Sequence, residues 1–205
     1  MHESTNRRPL KSRGMAWVAA FARMLLRTPV TPNTVSLAGI GFAAAGAGCL
    51  LLAAEHPFAW LAAALFIQLR LLANLMDGLL AVEGGRGSPT GPLFNEVPDR
   101  IEDSVLLVAA GYAAALPAAG WAAALLAMAT AYVRAQGGAI GLPQDFSGPM
   151  AKQHRMAVLA AAAVLSAALP AAPIMPLALG LIAAGALLTC GLRLRRQARL
   201  LREAA

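Results

Sequence analysis

The sequence predicts an all-α membrane protein in which a bundle of six transmembrane helices follows an amphipathic helix in the membrane interface. Of the 205 residues, 59% are hydrophobic and only 13% are charged, whereas a soluble domain carries roughly 25% charged residues. The hydrophobic residues form six runs with few or no charges, at residues 34–54, 58–82, 104–115, 121–133, 156–168 and 174–192. Flanking residues can extend the shorter runs to the roughly 20 residues that a span requires. We therefore expect a single membrane domain over residues 1–205, with the bundle at residues 34–192.

Before the first run, residues 14–29 are expected to form a helix that lies in the cytoplasmic interface. Trp17, Phe21 and Leu25 recur every four residues, and Arg23 and Arg27 lie off that face. An apolar face beside a basic one is typical of a helix that lies on a membrane rather than across it.

Lysine and arginine are distributed unevenly between the loops. Nearly all of them lie in the N-terminal segment, in two long loops and in a basic tail, at residues 83–103, 134–155 and 193–205. The other three loops contain none, at residues 55–57, 116–120 and 169–173. By the positive-inside rule, we expect a multi-pass protein of an inner or plasma membrane with both termini and the two long loops in the cytoplasm. The positive charges that set the topology then account for the net charge of +7, so we expect no nucleic-acid partner. The arginines of the tail are expected to lie against anionic lipid headgroups.

The second run carries polar residues on one helical face. Arg70, Asn74, Asp77, Gly78 and Ala81 recur at spacings of three and four residues, and the opposite positions are leucine and methionine. An ionisable side chain costs roughly 2.5–3.5 kcal/mol at the centre of a membrane span, and such residues usually have a function. This face should therefore look into the bundle.

A glycine-rich loop follows, and after it Asn95 and Asp99 lie four residues apart, on one face if a helix has begun there. Two helices would then each present one carboxylate and one carboxamide to the space between them. Oxygen ligands of this kind suit Mg²⁺, which takes few protein carboxylates and completes its shell with water and phosphates. The residues predict a metal and phosphate site near the cytoplasmic surface.

At these positions the sequence resembles the signature of the CDP-alcohol phosphotransferase family, D-x2-D-G-x2-A-R-x8-G-x3-D-x3-D. Every spacing fits from residue 74 to residue 99, with identical residues at Asp77, Gly78, Ala81, Gly91 and Asp99. The first and third aspartates of the signature are replaced by Asn74 and Asn95, and its arginine by Val82. Two further stretches are similar to the family, Thr31-Pro32-Asn33 before the first span and Gly148, Lys152 and Arg155 before the fifth.

The resemblance implies transfer of a substituted phosphate from a CDP-linked donor, expected to be CDP-diacylglycerol, to an alcohol, with release of CMP, in phospholipid biosynthesis. It implies Mg²⁺ or Mn²⁺ as cofactor, held by Asn74, Asp77, Asn95 and Asp99, with Asp99 also as the catalytic base. The implied substrate-binding residues are Thr31, Pro32, Asn33, Arg70, Gly78, Ala81, Gly91, Arg134, Lys152 and Arg155. A homodimer is a further expectation.

The departures from the signature have a predictable effect on the metal. Two asparagines cut the formal charge of the four positions from −4 to −2, so metal affinity should fall and a two-metal site could become a one-metal site. Glu83, Glu96 or Asp103 could supply the missing charge, and Arg70 or Arg86 the missing cation. Glu102 has no counterpart in the signature and is expected to matter little.

The same residues allow structural interpretations, which the sequence leaves open. Asp77 and Asp99 could pair with Arg70 or Arg100, Asn74 could bond between helices, and Asn95 could cap the third span. The cationic residues at cytoplasmic span ends could be topology signals only, at Arg134, Lys152 and Arg155. Two other functions remain: a pseudoenzyme that binds the nucleotide lipid without turnover, and a small transporter or assembly partner. The lack of inverted repeats and broken helices in the sequence argues against transport.

Overall fold

The computed structural model describes residues 16–204, and its regular structure is helical throughout that part of the chain. Seven helices follow one another: α1 (Ala16–Leu26), α2 (Pro32–Leu52), α3 (Phe58–Val82), α4 (Gly91–Ala113), α5 (Pro117–Ala139), α6 (Lys152–Ala168) and α7 (Ile174–Glu203). The predicted all-α class is confirmed.

Four of these helices are long and apolar enough to cross a membrane, namely α2, α3, α5 and α7. The helix α6 has only 17 residues, and α4 carries five charged residues between Glu96 and Asp103. The structure thus supports a helical membrane protein with at least these four apolar helices.

The helices α4, α5 and α7 are longer than the hydrophobic runs predicted. The helix α4 begins at Gly91 rather than near residue 104, because Pro92 suits a first turn and the chain continues helically past Pro98. The helix α5 extends to Ala139, so the following loop covers residues 140–151. The helix α7 continues to Glu203, so the predicted basic tail is mostly helical.

The bundle is built on α2, α3 and α4. The helix α2 packs along both α3 and α4, α5 packs on α4, and α6 and α7 close the far side against α3 and α5. Alanine and other small residues fill most of the buried core, which lets helix backbones approach closely. Short connections at residues 53–57 and 83–90 make α3 antiparallel to both α2 and α4.

The N-terminal helix α1 lies against α3. Val18 and Ala22 are buried on Met76 and Leu79 of α3, with Phe21 and Leu25 half-buried beside them. Trp17, which the sequence placed on the apolar face, is 58% exposed, so the face that packs is rotated away from it. Residues 14 and 15 of the predicted interfacial helix lie outside the described residues.

Candidate active site

Polar side chains of α2, α3 and α4 meet at two levels in the bundle. At the outer level, nearer the loop at residues 83–90, the Ser36 hydroxyl donates to Asp77 Oδ2 at 2.6 Å, and Asp77 interacts electrostatically with Asp99. At the inner level, Asn74 Nδ2 donates to Glu102 Oε2 at 3.0 Å. Because Asn74 and Asp77, like Asp99 and Glu102, are three residues apart on antiparallel helices, α3 and α4 are in register through both levels.

Six buried charged residues connect α3, α4 and α6, and we call them the ion network: Arg70, Asp99, Glu102, Asp103, Lys152 and Arg155. Arg70 is its centre, because its Nε donates to Glu102 Oε2 at 2.5 Å and its Nη2 to Asp103 Oδ1 at 2.7 Å. Arg155 Nη2 donates to Asp103 Oδ2 at 2.9 Å, which brings α6 into the network. Removing one partner from a buried ion pair costs about 3–5 kcal/mol, so the network fixes the positions of all three helices.

The carboxylate of Asp99 is surrounded by cations. Its Oδ1 accepts a hydrogen bond from Lys152 Nζ, and Arg70 Nη2 lies 3.5 Å from the same oxygen. Arg100 Nη2 lies 3.5 Å from Oδ2. Lys152, Arg70 and Arg100 therefore hold the Asp99 side chain in place at the outer level.

Four side-chain atoms of the described residues are buried without a hydrogen-bond partner: Arg70 Nη1, Asp77 Oδ1, Glu102 Oε1 and Arg155 Nε. An unpartnered carboxylate oxygen opposite a second carboxylate is what a hard cation would satisfy, so Asp77 and Asp99 fit one divalent ion. Within residues 16–204, no group of three or more histidine, cysteine, aspartate or glutamate side chains is arranged to hold a metal. The residues present therefore fit one ion with a shell completed by water and phosphate.

The remaining signature positions lie around this site. Gly78 and Ala81 follow Asp77 on α3 and are half-buried, Gly91 is the first residue of α4, and Asn95 is exposed one turn before Asp99. Thr90 is the N-cap residue of α4, so the alternative of Asn95 as a cap is wrong. The alternative pair of Arg70 with Asp77 is also not formed, because Arg70 binds three acidic residues of α4 instead.

The Thr31-Pro32-Asn33 stretch begins α2. The Thr31 side chain accepts from the Thr34 amide as an N-cap, and Pro32 is buried in the first turn. Asn33 Nδ2 donates to Ser88 Oγ at 3.4 Å, which ties α2 to the loop before α4. These residues shape the rim of the site.

Neither of the two cations expected to replace the arginine missing at position 82, Arg86 and Arg70, is free to do so. Arg86 donates to the carbonyl oxygens of Leu26, Thr28 and Val30, each at 2.8 Å. Arg86 thereby fastens the segment between α1 and α2, and Arg70 is engaged in the ion network.

Arg134 lies on α5 beside the start of α4. Its guanidinium donates to Glu96 Oε1 and to Gln144 Oε1, both at 2.5 Å, and lies 5.0 Å from the centre of the Phe146 ring. Glu96 is therefore paired with Arg134, so its carboxylate does not take the place of the one that position 95 lacks.

The predicted headgroup contact of the tail is wrong for Arg193, which is buried inside the bundle. It donates to the Thr130 carbonyl at 2.6 Å and to the Ser147 carbonyl at 2.9 Å. Arg196 also binds this loop, through Asp145. Partial burial raises the pKa of Asp145, but the hydrogen bonds from Ser147 and Arg196 outweigh it and hold that pKa below its usual range.

Gly148 shapes the end of the same loop, just before α6. Its φ is +127°, and a Cβ there would collide with the Thr189 side chain. Thr189 Oγ1 accepts from the Met150 amide at 3.0 Å. The loop is thus fastened to α7 immediately before Lys152, which fixes where Lys152 and Arg155 enter the network.

Sequence reasoning missed Glu102, the least expected member of the site. Glu102 is fully buried and paired with Arg70, so its expected peripheral role is wrong. The signal was the spacing of Asp99, Glu102 and Asp103, which share a helical face once α4 begins at Gly91. Ser36 of α2 left no signal beyond its place in an apolar run.

No protein-family profile matches the sequence, but individual relatives do. The chain is 32% identical over 143 residues to the archaetidylinositol phosphate synthase of Aeropyrum pernix, which covers 69% of this chain and 71% of that protein. Such synthases are CDP-alcohol phosphotransferases. The chain belongs to the CDP-alcohol phosphotransferase family.

Other members of the family are also similar to this chain. The chain is 29% identical over 150 residues to the phosphatidylinositol phosphate synthase of Streptomyces avermitilis, but spans only 60% of its length. The phosphatidylinositol phosphate synthase of Mycobacterium tuberculosis has a similar fold, with 25% identity over 88% of this chain. Its structure with CDP-DAG bound gives a TM-score of 0.74 over 92% of that chain. Its complex with manganese and citrate gives 0.75 over 88%.

Proposed function

We propose that this member of the family is an active membrane phosphatidyltransferase, which moves a phosphatidyl group from CDP-diacylglycerol to an alcohol and releases CMP. The observation that carries the proposal is that Asp77 of α3 and Asp99 of α4 lie close enough for their charges to interact, with an unpartnered buried oxygen on Asp77. Two of the four aspartate positions of the signature thus keep their carboxylates, and both are at the same level of the bundle.

The residues have distinct roles in the proposed reaction. Asp99, oriented by Lys152 and Arg70, accepts the proton of the acceptor hydroxyl. Asp77 and Asp99, with oxygen atoms of Asn74 and Asn95, would hold Mg²⁺ or Mn²⁺, which neutralises charge on the diphosphate when bound. Gly78, Ala81 and Gly91 would leave room for the nucleotide, since none of them has a long side chain.

We further propose that the acceptor is a phosphorylated alcohol, such as an inositol phosphate. The bacterial relatives are named phosphatidylinositol phosphate synthases. In this chain, Arg134, Lys152 and Arg155 lie at the end of the bundle that holds Asp99, and each already binds an acidic residue of α4. An anionic acceptor would bind where this cationic set meets the carboxylates, beside the Thr31-Pro32-Asn33 rim, and the fully buried Arg70 would support it through Asp99.

In the membrane, we propose that α4 and α6 complete six spans with α2, α3, α5 and α7, and that α1 lies in the cytoplasmic interface. The ion network pairs the charged residues that make α4 less apolar than the other spans, and the buried charges at the start of α6. Both termini and the site would face the cytoplasm, and the protein would act as a homodimer.

The test uses the full chain, purified into lipid nanodiscs, with CDP-diacylglycerol and Mg²⁺ or Mn²⁺. Inositol phosphate and inositol form a matched pair of acceptors, and CMP release is measured. We expect CMP only with a divalent metal and an acceptor, and faster release with inositol phosphate. Equal rates with both acceptors would overturn the phosphorylated-acceptor proposal. Binding of CDP-diacylglycerol without CMP release from any acceptor would establish the pseudoenzyme alternative. If CDP-diacylglycerol does not bind, only the transporter or assembly role remains.

A further inference from the structure

Glu102 occupies a place that nothing in the family signature provides for. It is completely buried on α4, one turn deeper than Asp99. Its Oε2 accepts from both Arg70 Nε, at 2.5 Å, and Asn74 Nδ2, at 3.0 Å. Asn74 is one of the two positions where this chain has an amide instead of a carboxylate. The side chain that lost its charge therefore touches a carboxylate that the signature lacks.

The helix α2 is shaped to admit this carboxylate. A Cβ on Gly39 would lie 2.5 Å from Glu102 Oε1 and 3.6 Å from Asn74 Oδ1. A side chain at position 39 would therefore displace Glu102. Residues of α2, α3 and α4 therefore enclose the Glu102 side chain. Burying a charged side chain costs free energy, which is not expected for a glutamate without a role.

Two further buried carboxylates lie close to the two that the signature keeps. Four buried carboxylates are present on α3 and α4: Asp77, Asp99, Glu102 and Asp103. The first two are signature positions, and the other two lie deeper on α4. Arg70 binds Glu102 and Asp103 at 2.5 and 2.7 Å, while its distance to Asp99 Oδ1 is 3.5 Å.

We propose that Glu102 is a positioning residue that carries, on α4, the carboxylate that position 74 on α3 has lost, and that Asn74 is its obligatory hydrogen-bond donor. Glu102 holds Arg70 Nε at 2.5 Å and so limits the interaction of Arg70 with Asp99 Oδ1, which lies 3.5 Å from Arg70 Nη2. An aspartate at position 74 would face Glu102 across the 3.0 Å of the present hydrogen bond, with two negative charges and no donor. Asn74 is then one half of an exchanged pair, in which its amide nitrogen binds Glu102 and its amide oxygen is left for the metal of the proposed function. The catalytic consequence rests on the proposed function, but the pairing itself does not.

The test is a charge exchange in the full chain in nanodiscs: Asn74→Asp, Glu102→Gln, and both together. Thermal unfolding is followed, and Mn²⁺ binding is measured by electron paramagnetic resonance in the presence of CDP-diacylglycerol. Asn74→Asp alone should lower Tm by roughly 5–15 °C, as expected for a buried charge left unpaired. Glu102→Gln alone should weaken Mn²⁺ binding about tenfold, because Arg70 turns toward Asp99.

The double variant should recover most of both losses, because the new glutamine amide on α4 can donate to the new carboxylate on α3, and one negative charge remains at the inner level. Glu55→Gln is the control for loss of one acidic residue, since Glu55 is exposed in the loop at the opposite end of the bundle, and it should change neither quantity. Additive effects on Tm would overturn the pairing. Recovery of Tm with Mn²⁺ binding unaffected by Glu102→Gln would overturn the positioning role and leave a purely structural pair.

CMP release from the wild type and the three exchange variants separates this inference from the proposed function. If the wild type releases no CMP while the exchange still restores Tm and Mn²⁺ affinity, the proposed function fails and the Asn74–Glu102 exchange stands. If the wild type binds no Mn²⁺ at all, the positioning role and the metal-dependent function fail together.

Discussion

Gly39 on α2 faces Glu102 on α4 so closely that a Cβ on the glycine would lie 2.5 Å from the carboxylate Oε1. Glu102 cannot withdraw, because Arg70 and Asn74 hold its other oxygen. The contact makes α2, which carries no aspartate, glutamate, lysine, arginine or histidine, a determinant of the ionic site.

Gly39→Ala should destabilise the protein by about 1–3 kcal/mol. The added methyl group would collide with Glu102, which Arg70 and Asn74 hold in place, and would force α2 away from α4. Thermal unfolding in nanodiscs measures the loss. Gly41→Ala is the matched control on the same helix, since a Cβ there meets nothing within 4 Å. It should leave Tm unchanged or slightly higher. Equal behaviour of the two variants would show that α2 does not press on Glu102.

Asp99→Asn should reduce CMP release about 10²–10⁴-fold, because the variant keeps the shape of the side chain but loses the proton acceptor. Asp99 also belongs to the ion network, so Tm must be checked in the same preparation. Glu102→Gln, which the sequence alone recommends as a mild control, is unsuitable because Glu102 is buried beside Arg70. Glu203→Gln, exposed at the end of α7, is the appropriate one. Turnover of Asp99→Asn near that of wild type would remove Asp99 from the catalytic role.

Metal dependence should be weak, in the millimolar range, because the site fits one ion with at most two carboxylates. Asn95→Asp should tighten Mn²⁺ binding about tenfold, since Asn95 is exposed one turn before Asp99 and a carboxylate there meets no buried acid. Asn74→Asp should not, because of Glu102. Electron paramagnetic resonance titrations of the two single variants decide this. A stronger gain from Asn74→Asp than from Asn95→Asp would contradict the assignment of Glu102.

A reporter fused after Ala205 should be cytoplasmic, and one inserted in the loop at residues 169–173 should be external. The loop lacks lysine and arginine, whereas the C-terminal part of α7 carries five arginines. Arg193 is engaged inside the bundle, but the other four remain as topology signals. Paired fusions to a reporter active only in the cytoplasm and to one active only outside measure the orientation. The opposite pattern would show that the bundle has the reverse orientation in the membrane.

The sequence predicted the apolar helices well because a helix that faces lipid is apolar over its whole length, which local hydropathy detects. The runs that became α2 and α3 differ from the observed helices by only a few residues. The polar face of α3 was predicted equally well, because Arg70, Asn74 and Asp77 repeat at helical spacing. Exposing these side chains to lipid would cost free energy, so the face they share is expected to point into the bundle.

The start of α4 could not be predicted in the same way. Residues 95–103 contain five charges, which hydropathy assigns to a loop. These charges are tolerated in a buried helix only because Arg70 of α3 and Lys152 and Arg155 of α6 meet them. Partners that lie about 30 or more residues away leave no local trace, so Glu102 was misjudged. Arg193 was misjudged for the same reason, as its acceptors are carbonyl groups of Thr130 and Ser147.

The division of the ion network between α3, α4 and α6 has a consequence for how the protein is made. If α4 crosses the bilayer as proposed, it cannot enter lipid on its own, because its acids would be uncompensated there. Arg70 in the preceding helix is synthesised first and offers the counter-charge as α4 emerges. Asp103 then keeps one oxygen for Arg155, which arrives about fifty residues later. The order of the charges along the chain would then also set an order of membrane insertion, in which α3 receives α4 and α4 receives α6.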